Sequence, residues 1–188
     1  MRQTNRKTML IVAISGKQRT GKSFCSQTLV DNYGFTRFAF ADPLKDDIRA
    51  MGFSERAIQE KPPWMRKLMQ AYGAARRAED INHWAKQLRT ELVFEYERSA
   101  WGFPAIVIDD MRFPNEVEML ETFAAAHYGV EFRNCLMQRT GEQAENLSHE
   151  DDESETALDN LSSWWQVFPV AGGDFFGLDR AACNMARD

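Results

Sequence analysis

The chain has 188 residues, a length that suits one domain and lets it bury about 70% of its extended-chain surface. Its formal net charge of −5 argues against a nucleic-acid-binding surface, and it contains no run of about 18 apolar residues, which a membrane span requires. Three widely spaced cysteines without a C-x-x-C pair favour a reducing cytoplasm, and the composition leaves a homodimer open.

The first predicted element is an apolar strand over residues 9–15, which runs directly into the pattern G-x-x-x-x-G-K-S from Gly16 to Ser23. Glycine at Gly16 and Gly21 lets the backbone turn tightly and direct successive N–H groups at phosphate oxygens. Lys22 would reach the terminal phosphates, and Ser23 would offer its hydroxyl to Mg²⁺ at the start of a helix whose dipole favours an anion. The pattern and its strand, loop and helix setting predict a nucleoside triphosphate site.

The rest of the chain alternates strands with helices, and this alternation predicts a parallel sheet covered by helices on both faces. We predict further strands over residues 35–41, 105–110, 130–138 and 165–170. We predict helices over residues 23–33, 42–51, 54–72, 80–98 and 114–126, and a short helix from Phe175. Residues 141–163 are polar and acidic, which is typical of a loop.

A second chemical pattern lies at the end of the predicted strand 105–110, where Asp109 and Asp110 follow four apolar residues. A carboxylate at this edge of a sheet can hold Mg²⁺ or its water beside bound phosphates. The plainer alternative is a turn or helix cap, which is the commonest role of aspartate after a strand. Arg112 and Glu116 follow, four residues apart, either facing the same cleft or forming an ordinary surface pair.

Six short blocks in order resemble the bacteriophage deoxynucleoside monophosphate kinases: G-K-Q-R-T-G-K-S, F-A-F-A-D-P-L-K-D, R-K-L-M-Q-A-Y-G, D-I-N-H-W-A-K-Q-L, D-D-M-R-F-P-N-E, and R-T-G before S-E-T-A-L-D-N. The resemblance covers about residues 9–160. It implies a three-layer α/β/α fold with a central five-stranded parallel sheet. Residues 1–188 would form a single P-loop kinase domain, with acceptor-binding helices at about 42–98 and a lid at about 140–160.

The same resemblance implies transfer of the γ-phosphoryl group of ATP, with Mg²⁺, to a deoxynucleoside monophosphate in the cytoplasm, which is the host cytoplasm for a phage protein. Both substrates are small molecules. S-E-T-A-L-D-N is also loosely similar to phosphomevalonate kinases, which leaves a small-metabolite kinase open. A P-loop ATPase or nucleotide-binding module without an acceptor is a further alternative, because the loop itself indicates only phosphate binding.

Phosphoryl transfer between two anions depends on positioning and on cations, so basic residues have to converge from several segments. The resemblance implies catalytic roles for Lys22, Arg66, Arg112 and Arg139, and metal ligands in Ser23 and Asp110. It implies an ATP site made by Gly16, Arg19, Thr20, Gly21, Lys22, Ser23 and Phe24. It implies an acceptor site made by Gln18, Leu44, Lys45, Arg66, Gln70, Asp80, Trp84, Asp110, Arg112 and Glu116.

Several of these assignments have plainer alternatives. Lys45 and Arg66 are also what solvated helix surfaces carry. Asp80 and Trp84 are four apart on a predicted helix face, but Trp84 belongs to an apolar stripe from Ile81 to Tyr96, which favours burial in the core. The similar kinases often have an uncharged residue at the position of Asp109, which leaves open which aspartate serves the metal.

The predicted lid departs from the resemblance. Residues 142–155 contain seven carboxylates and no lysine or arginine, and a lid of that charge would repel ATP. We therefore expect either that Arg19, Arg133 and Arg139 supply the cations or that this segment stays outside the site. His149 and Glu155 match an element of the similar kinases, with a loop histidine and a helix-cap acid as the alternative.

Overall fold

The computed structural model describes residues 7–99, 102–140, 157–171 and 173–187. The elements in chain order are β1 (Met9–Ser15), α1 (Lys22–Tyr33), β2 (Thr36–Phe38), α2 (Asp42–Ala50), α3 (Glu55–Glu60), α4 (Pro63–Glu79), α5 (His83–Glu97), β3 (Ala105–Ile108), α6 (Pro114–Ala126), β4 (Val130–Thr140), β5 (Gln166–Ala171) and α7 (Phe175–Ala186). Within these residues no helix is both long enough and apolar enough to cross a membrane.

The five strands form one parallel sheet in the order β2-β3-β1-β4-β5. Every residue of β1 and β3 is buried, as expected for central strands of a parallel sheet whose two faces are both covered. The pairing of Ala13 with Ile108 and of Ser15 with Leu136 brings the carboxyl ends of β1, β3 and β4 to one edge of the sheet. The predicted five-stranded parallel α/β fold is therefore confirmed.

Alternate residues of β1 point into two separate cores, because successive side chains of a strand face opposite sides of the sheet. One core joins the sheet to α1 and α7 and includes Leu10, Val12, Leu29, Ala182 and Met185. The other joins the sheet to α5 and α6 and includes Met9, Ile11, Leu88, Leu120 and Phe123. The sheet is thus the middle of three layers.

A third apolar cluster holds the helices that were expected to bind the acceptor. Leu44 and Ile48 of α2 pack with Ile58 of α3, Met65 of α4 and Trp84 of α5. All five side chains are at most 8% exposed. Burial of this size stabilises each side chain by roughly 1.5–3 kcal/mol, so α2, α3 and α4 are held as one unit.

The predicted helix 54–72 is in fact two helices, α3 and α4, separated at Lys61 and Pro62. Two consecutive prolines explain the break, since Pro62 and Pro63 lack the N–H groups that a continuous helix would need. The second proline begins α4, a position that proline favours. Helix α4 then continues to Glu79, beyond the predicted end.

The predicted helix 80–98 begins three residues later, at His83. Asp80 lies between α4 and α5 in an extended conformation, so Asp80 and Trp84 do not share a helix face. Ile81 is 65% exposed and does not belong to the buried stripe, whereas Trp84, Leu88 and Leu92 do.

Two strands are shorter than predicted, and both end at the same point in space. Strand β2 covers 36–38 instead of 35–41, and β3 covers 105–108 instead of 105–110. The reason is a connection between the segments that follow them: the side chain of Asp110 binds the backbone amides of Phe40 and Ala41. These amides therefore turn away from strand pairing.

Candidate functional site

The phosphate-binding loop connects β1 to α1, and both of its pattern glycines are required by the surrounding structure. Gly16 has a φ of +137°, and a Cβ atom there would lie 2.3 Å from the carbonyl oxygen of Met137. Gly21 has a φ of +91°, and its Cβ would lie 2.4 Å from the side chain of Leu178. The loop backbone thus occupies conformations and a space that only glycine accepts.

Polar contacts within the loop fix its shape. The Thr20 hydroxyl donates to the carbonyl of Lys17 at 2.8 Å. The Lys22 ammonium donates to the carbonyls of Gly16 and Lys17, the latter at 2.7 Å, so it lies over the loop. The first helical hydrogen bond of α1 joins the amide of Cys25 to the carbonyl of Gly21, and no side chain caps this end. The amides of the first turn have no partner within the helix, which makes this end of α1 suited to an anion.

Two cavities flank the loop. The first, of about 460 Å³, is lined by Ser15, Gly16, Lys17, Gln18, Thr20, Arg112, Leu136, Met137, Gln138, Arg139, Leu158, Asp159, Leu161 and Trp164. The second, of about 370 Å³, is lined by Arg19, Thr20, Gly21, Lys22, Ser23, Phe24, Arg139, Val170, Ala171, Gly173, Phe175 and Leu178. Thr20 and Arg139 line both, so the loop and Arg139 stand between two spaces that can hold ligands.

The second cavity contains every residue of the predicted ATP site except Gly16, which lines the first. Phe24 meets Phe175 of α7 there, with ring centroids 5.6 Å apart. Phe24 is 39% exposed and Phe175 is 65% exposed, so the two rings offer an apolar surface at the mouth of this cavity. Phe175 did not stand out in the sequence, because its only sign was an aromatic pair at the start of the last helix.

Asp109 and Asp110 follow β3, at the edge of the sheet that carries the phosphate loop. The Asp110 carboxylate accepts hydrogen bonds from the amides of Phe40 and Ala41, both at 2.9 Å. Burial raises the pKa of Asp110 above its usual range, and these amides oppose the rise. Asp109 is paired with Arg37 at 2.8 Å. These contacts of Asp110 tie the segment after β3 to the backbone before α2, which is not the local turn or cap of the plainer alternative, and its metal role stays a prediction.

Glu116 is only 6% exposed, so it does not form an ordinary surface pair with Arg112. Its Oε2 atom accepts from the backbone amides of Arg112, at 2.6 Å, and Phe113, at 3.0 Å. Burial raises the pKa of Glu116 to about 8, and the amides only partly oppose this shift. Glu116 thus fixes the backbone of Arg112, which lines the first cavity.

The helical layer brings basic side chains from several elements close together. The effect of these charges is seen at Lys61, which lies between α3 and α4. Its ammonium has a lowered pKa, caused first by desolvation and then by the positive charges of Lys45, Arg66 and Arg112, while Asp110 acts in the opposite direction. The charges of the predicted acceptor cations from α2, α4 and the segment after β3 therefore all act on Lys61. Lys61 was missed, because a single lysine before two prolines carries no recognisable signal.

Other predicted acceptor residues occupy different surroundings. Leu44 and Trp84 are buried in the third cluster, where the Trp84 indole donates to the Gly73 carbonyl at 3.2 Å. Asp80 accepts from the amide of Asn82 at 3.0 Å and from the Lys86 ammonium at 2.6 Å, which lowers the pKa of Asp80. Gln70 is exposed, one turn of α4 after Arg66. Gln18 lines the first cavity.

The expectation that Arg133 supplies a cation to ATP is wrong. Its side chain is 5% exposed and donates to the carbonyls of Met185, at 3.0 Å, and Arg187, so it caps the end of α7. It also pairs with Glu131 and stacks on Trp165. The Arg133 side chain thus binds the end of the last helix. Most of the predicted lid, including His149 and Glu155, lies outside the described residues.

The donors around the loop suit Mg²⁺ bound together with a nucleotide. Within the described ranges no three histidine, cysteine, aspartate or glutamate side chains gather into a metal cluster. Ser23 is exposed at the start of α1. Mg²⁺ commonly keeps several waters and takes its other ligands from substrate phosphates, so one hydroxyl beside a phosphate loop is an adequate protein contribution.

Solved structures are similar to this chain in fold, although no family model and no curated protein matches the chain. A protein of Chloroflexus aurantiacus assigned as a kinase has a TM-score of 0.51 and 13% identity, over 94% of this chain and 95% of that one. A gluconokinase of Sinorhizobium meliloti has a TM-score of 0.49 and 15% identity, over 96% and 93%. The APS kinase of Mycobacterium tuberculosis, solved with AMPPNP and APS, has a TM-score of 0.45 and 12% identity, over 94% and 95%. At 13% identity the similarity to the Chloroflexus aurantiacus structure concerns the fold alone.

Proposed function

We propose that this protein is a kinase that transfers the γ-phosphoryl group of ATP to a deoxynucleoside monophosphate. The observation that carries the proposal is the presence of two groups of cations with Arg112 between them. One group belongs to the phosphate loop, and the other comes from the helical layer. Arg112 lines the first cavity together with the loop and also lies near the charges of Lys61 and its neighbours. Two anions facing each other require such an arrangement.

On the donor side, the loop amides and Lys22 would hold the ATP phosphates. Lys22 already lies over the loop through its bonds to the carbonyls of Gly16 and Lys17, so a phosphate would replace these contacts as its partner. Arg19 and Arg139 would add positive charge from the second cavity. Bound Mg²⁺, held by Ser23 and phosphate oxygens, would supply charge neutralisation.

On the acceptor side, Lys45, Arg66 and Arg112 would hold the monophosphate. An oxygen of this phosphate attacks the γ-phosphorus of ATP, the bond to the oxygen bridging the β- and γ-phosphorus atoms breaks, and ADP leaves with that oxygen. Holding both phosphates in line supplies most of the rate enhancement, because the reaction needs little covalent help from the protein. Arg112, which lines the first cavity, would contact the transferred group from the acceptor side.

Asp110 and Glu116 would position these cations. Asp110 fixes the backbone before α2, which carries Lys45, and Glu116 fixes the backbone of Arg112. We do not carry the metal role of Asp110 into the proposal, because both of its carboxylate oxygens accept amide hydrogen bonds. The choice of a nucleotide acceptor rests on the six sequence blocks, several of which supply these residues.

A screen of acceptors tests the proposal. Purified protein with ATP and Mg²⁺ should form ADP slowly alone and much faster with a deoxynucleoside monophosphate, because cations assemble around the γ-phosphoryl group only when the acceptor is bound. The four standard deoxynucleoside monophosphates, phosphomevalonate and gluconate form the panel. Stimulation by phosphomevalonate alone would favour the metabolite kinase, and no stimulation by any acceptor would favour the ATPase or binding module.

A further inference from the structure

We infer that Lys61 is a fourth phosphate-binding cation of the acceptor site and makes this site selective for acceptors that carry a phosphate monoester dianion. The inference rests on the proposed function, since it concerns the same cleft. The inference adds a binding residue that the sequence patterns did not indicate. It also restricts the acceptors to phosphate monoesters, a class that excludes neutral sugars and alcohols.

The first observation is the backbone of Lys61. It has a φ of +46° and a ψ of +56°, in the left-handed region that favours glycine. A residue before proline normally adopts an extended conformation. The backbone of Lys61 is therefore unusual both for a non-glycine residue and for a residue before proline. Among the described residues only Arg19, in the phosphate loop, is another non-glycine with positive φ. Such conformations persist where the surroundings impose them, often at functional sites.

The second observation is the way packing brings the cations together. Leu44, Ile58 and Met65 belong to the same buried apolar cluster, the third one. Lys45 and Arg66 directly follow two of these buried residues, and Lys61 lies one helical turn after the third. The apolar contacts that join α2, α3 and α4 therefore also hold three positive side chains on neighbouring elements.

The third observation is that Lys61 and Arg66 differ from Lys45, which forms an ion pair with Asp42. No carboxylate within the described ranges forms an ion pair with Lys61 or Arg66. Asp110 is the carboxylate near Lys61, and its oxygens accept the amides of Phe40 and Ala41. Desolvation and the like charges of its neighbours already lower the pKa of Lys61. A doubly charged phosphate would relieve this repulsion, whereas a neutral hydroxyl would not.

Replacing Lys61 with glycine separates a binding role from a structural one. Glycine accepts the left-handed backbone more readily than lysine, so Lys61→Gly should leave the Tm unchanged or raise it. The same change should raise the KM for the acceptor by roughly tenfold, while the KM for ATP stays within about twofold. Lys61→Met removes the charge without adding backbone freedom and should raise the acceptor KM equally. Lys67→Ala, an exposed lysine on α4, is the matched control and should change neither KM.

An acceptor KM within about twofold of wild type in folded Lys61→Gly and Lys61→Met variants would overturn the inference, because a phosphate-binding cation costs more than that when removed. A loss of acceptor affinity that is matched by an equal loss of ATP affinity would also overturn it, since Lys61 would then act on the whole fold.

A chemical probe tests the phosphate site without assuming a nucleotide acceptor. Pyridoxal phosphate carries a phosphate dianion and an aldehyde. The unprotonated Lys61 amine attacks the aldehyde carbon, the carbonyl oxygen leaves as water, and added borohydride delivers hydride to the imine carbon to fix the label. Peptide mass spectrometry should find Lys61 labelled faster than Lys67, and inorganic phosphate should slow this labelling.

The competitors distinguish this inference from the proposed function. Slower labelling of Lys61 in the presence of a deoxynucleoside monophosphate supports both the inference and the proposed function. Protection by inorganic phosphate but by none of the nucleotides supports Lys61 as a phosphate ligand and contradicts the nucleotide acceptor. Labelling of Lys61 no faster than that of Lys67 overturns the inference.

Discussion

The Asp110 carboxylate holds the backbone amide of Ala41 at 2.9 Å and so ties the end of β3 to the start of α2. Ala41 is the residue immediately before α2, and no side chain of its own caps that helix. The negative charge of Asp110 therefore stands near the positive end of α2, which favours it. The same contact fixes the start of α2, which carries Lys45 four residues after Ala41.

We expect Asp110→Asn to lower the free energy of unfolding by about 1–3 kcal/mol, because an amide side chain accepts only one of the two backbone hydrogen bonds. It should raise the acceptor KM through the misplaced α2 and leave the Mg²⁺ concentration for half-maximal rate within about twofold. Denaturant melts and Mg²⁺ titrations measure these quantities, with Asp109→Asn as the comparison. A large rise in the Mg²⁺ requirement with unchanged stability would instead assign Asp110 to the metal.

We expect Lys22→Ala to lower kcat by at least roughly 100-fold, because Lys22 acts on charge that develops on the phosphates. Its ammonium donates to carbonyls of the phosphate loop, and Lys22 belongs to none of the three apolar clusters, so the circular dichroism spectrum should stay unchanged. Steady-state ADP formation with a saturating acceptor measures the effect. Turnover within threefold of wild type in a folded variant would refute the role of Lys22.

We expect Arg66→Ala and Arg112→Ala each to raise the acceptor KM by roughly tenfold or more, with a smaller effect on the KM for ATP. The positive charges of both arginines lower the pKa of Lys61, as that of Lys45 does. Arg56→Ala is the control, since Arg56 is an exposed residue of α3 that pairs with Glu60. Equal losses for both substrates would mean that the two arginines support the fold and not the acceptor.

We expect Glu116→Gln to change how stability depends on pH. The pKa of Glu116 is raised to about 8 from an ordinary 4.5, so the folded state binds more protons than the unfolded state between these values. Wild-type stability should therefore fall as pH rises through this window, by at most about 1.4 kcal/mol per pH unit from this residue.

Glutamine imitates the protonated carboxyl and still offers an oxygen to the amides of Arg112 and Phe113. The variant should lose this part of the slope and become more stable relative to wild type as pH rises from about 5 to 8. Chemical denaturation at several pH values measures the difference. Parallel curves for wild type and Glu116→Gln would contradict a raised pKa.

The phosphate loop and the central sheet were predictable because their requirements are local. The spacing of Gly16 and Gly21 is enough to predict the loop. Continuous apolar runs such as residues 105–108 indicate buried parallel strands. Pro62 and Pro63 also indicate the break between α3 and α4. The helical pattern on both sides of the prolines nevertheless led to the prediction of one continuous helix.

The missed features depend on contacts between distant parts of the chain. Asp110 binds backbone amides about 70 residues earlier, just before α2, and Arg133 binds carbonyls about 50 residues later, at the end of α7. No spacing rule connects such partners, so the sequence did not indicate that Asp110 binds the backbone before α2 or that Arg133 binds the end of α7. Lys61 gains its charged neighbours only when three helices pack together.

The most direct test of the central claim follows the phosphoryl group itself. ATP labelled at the γ-phosphate is incubated with the protein, Mg²⁺ and each deoxynucleoside monophosphate, and the products are separated. The account predicts that the label appears in a deoxynucleoside diphosphate, in a one-to-one ratio with ADP, and that Lys22→Ala abolishes this transfer. Label that appears only as inorganic phosphate, whichever nucleotide is present, would contradict it.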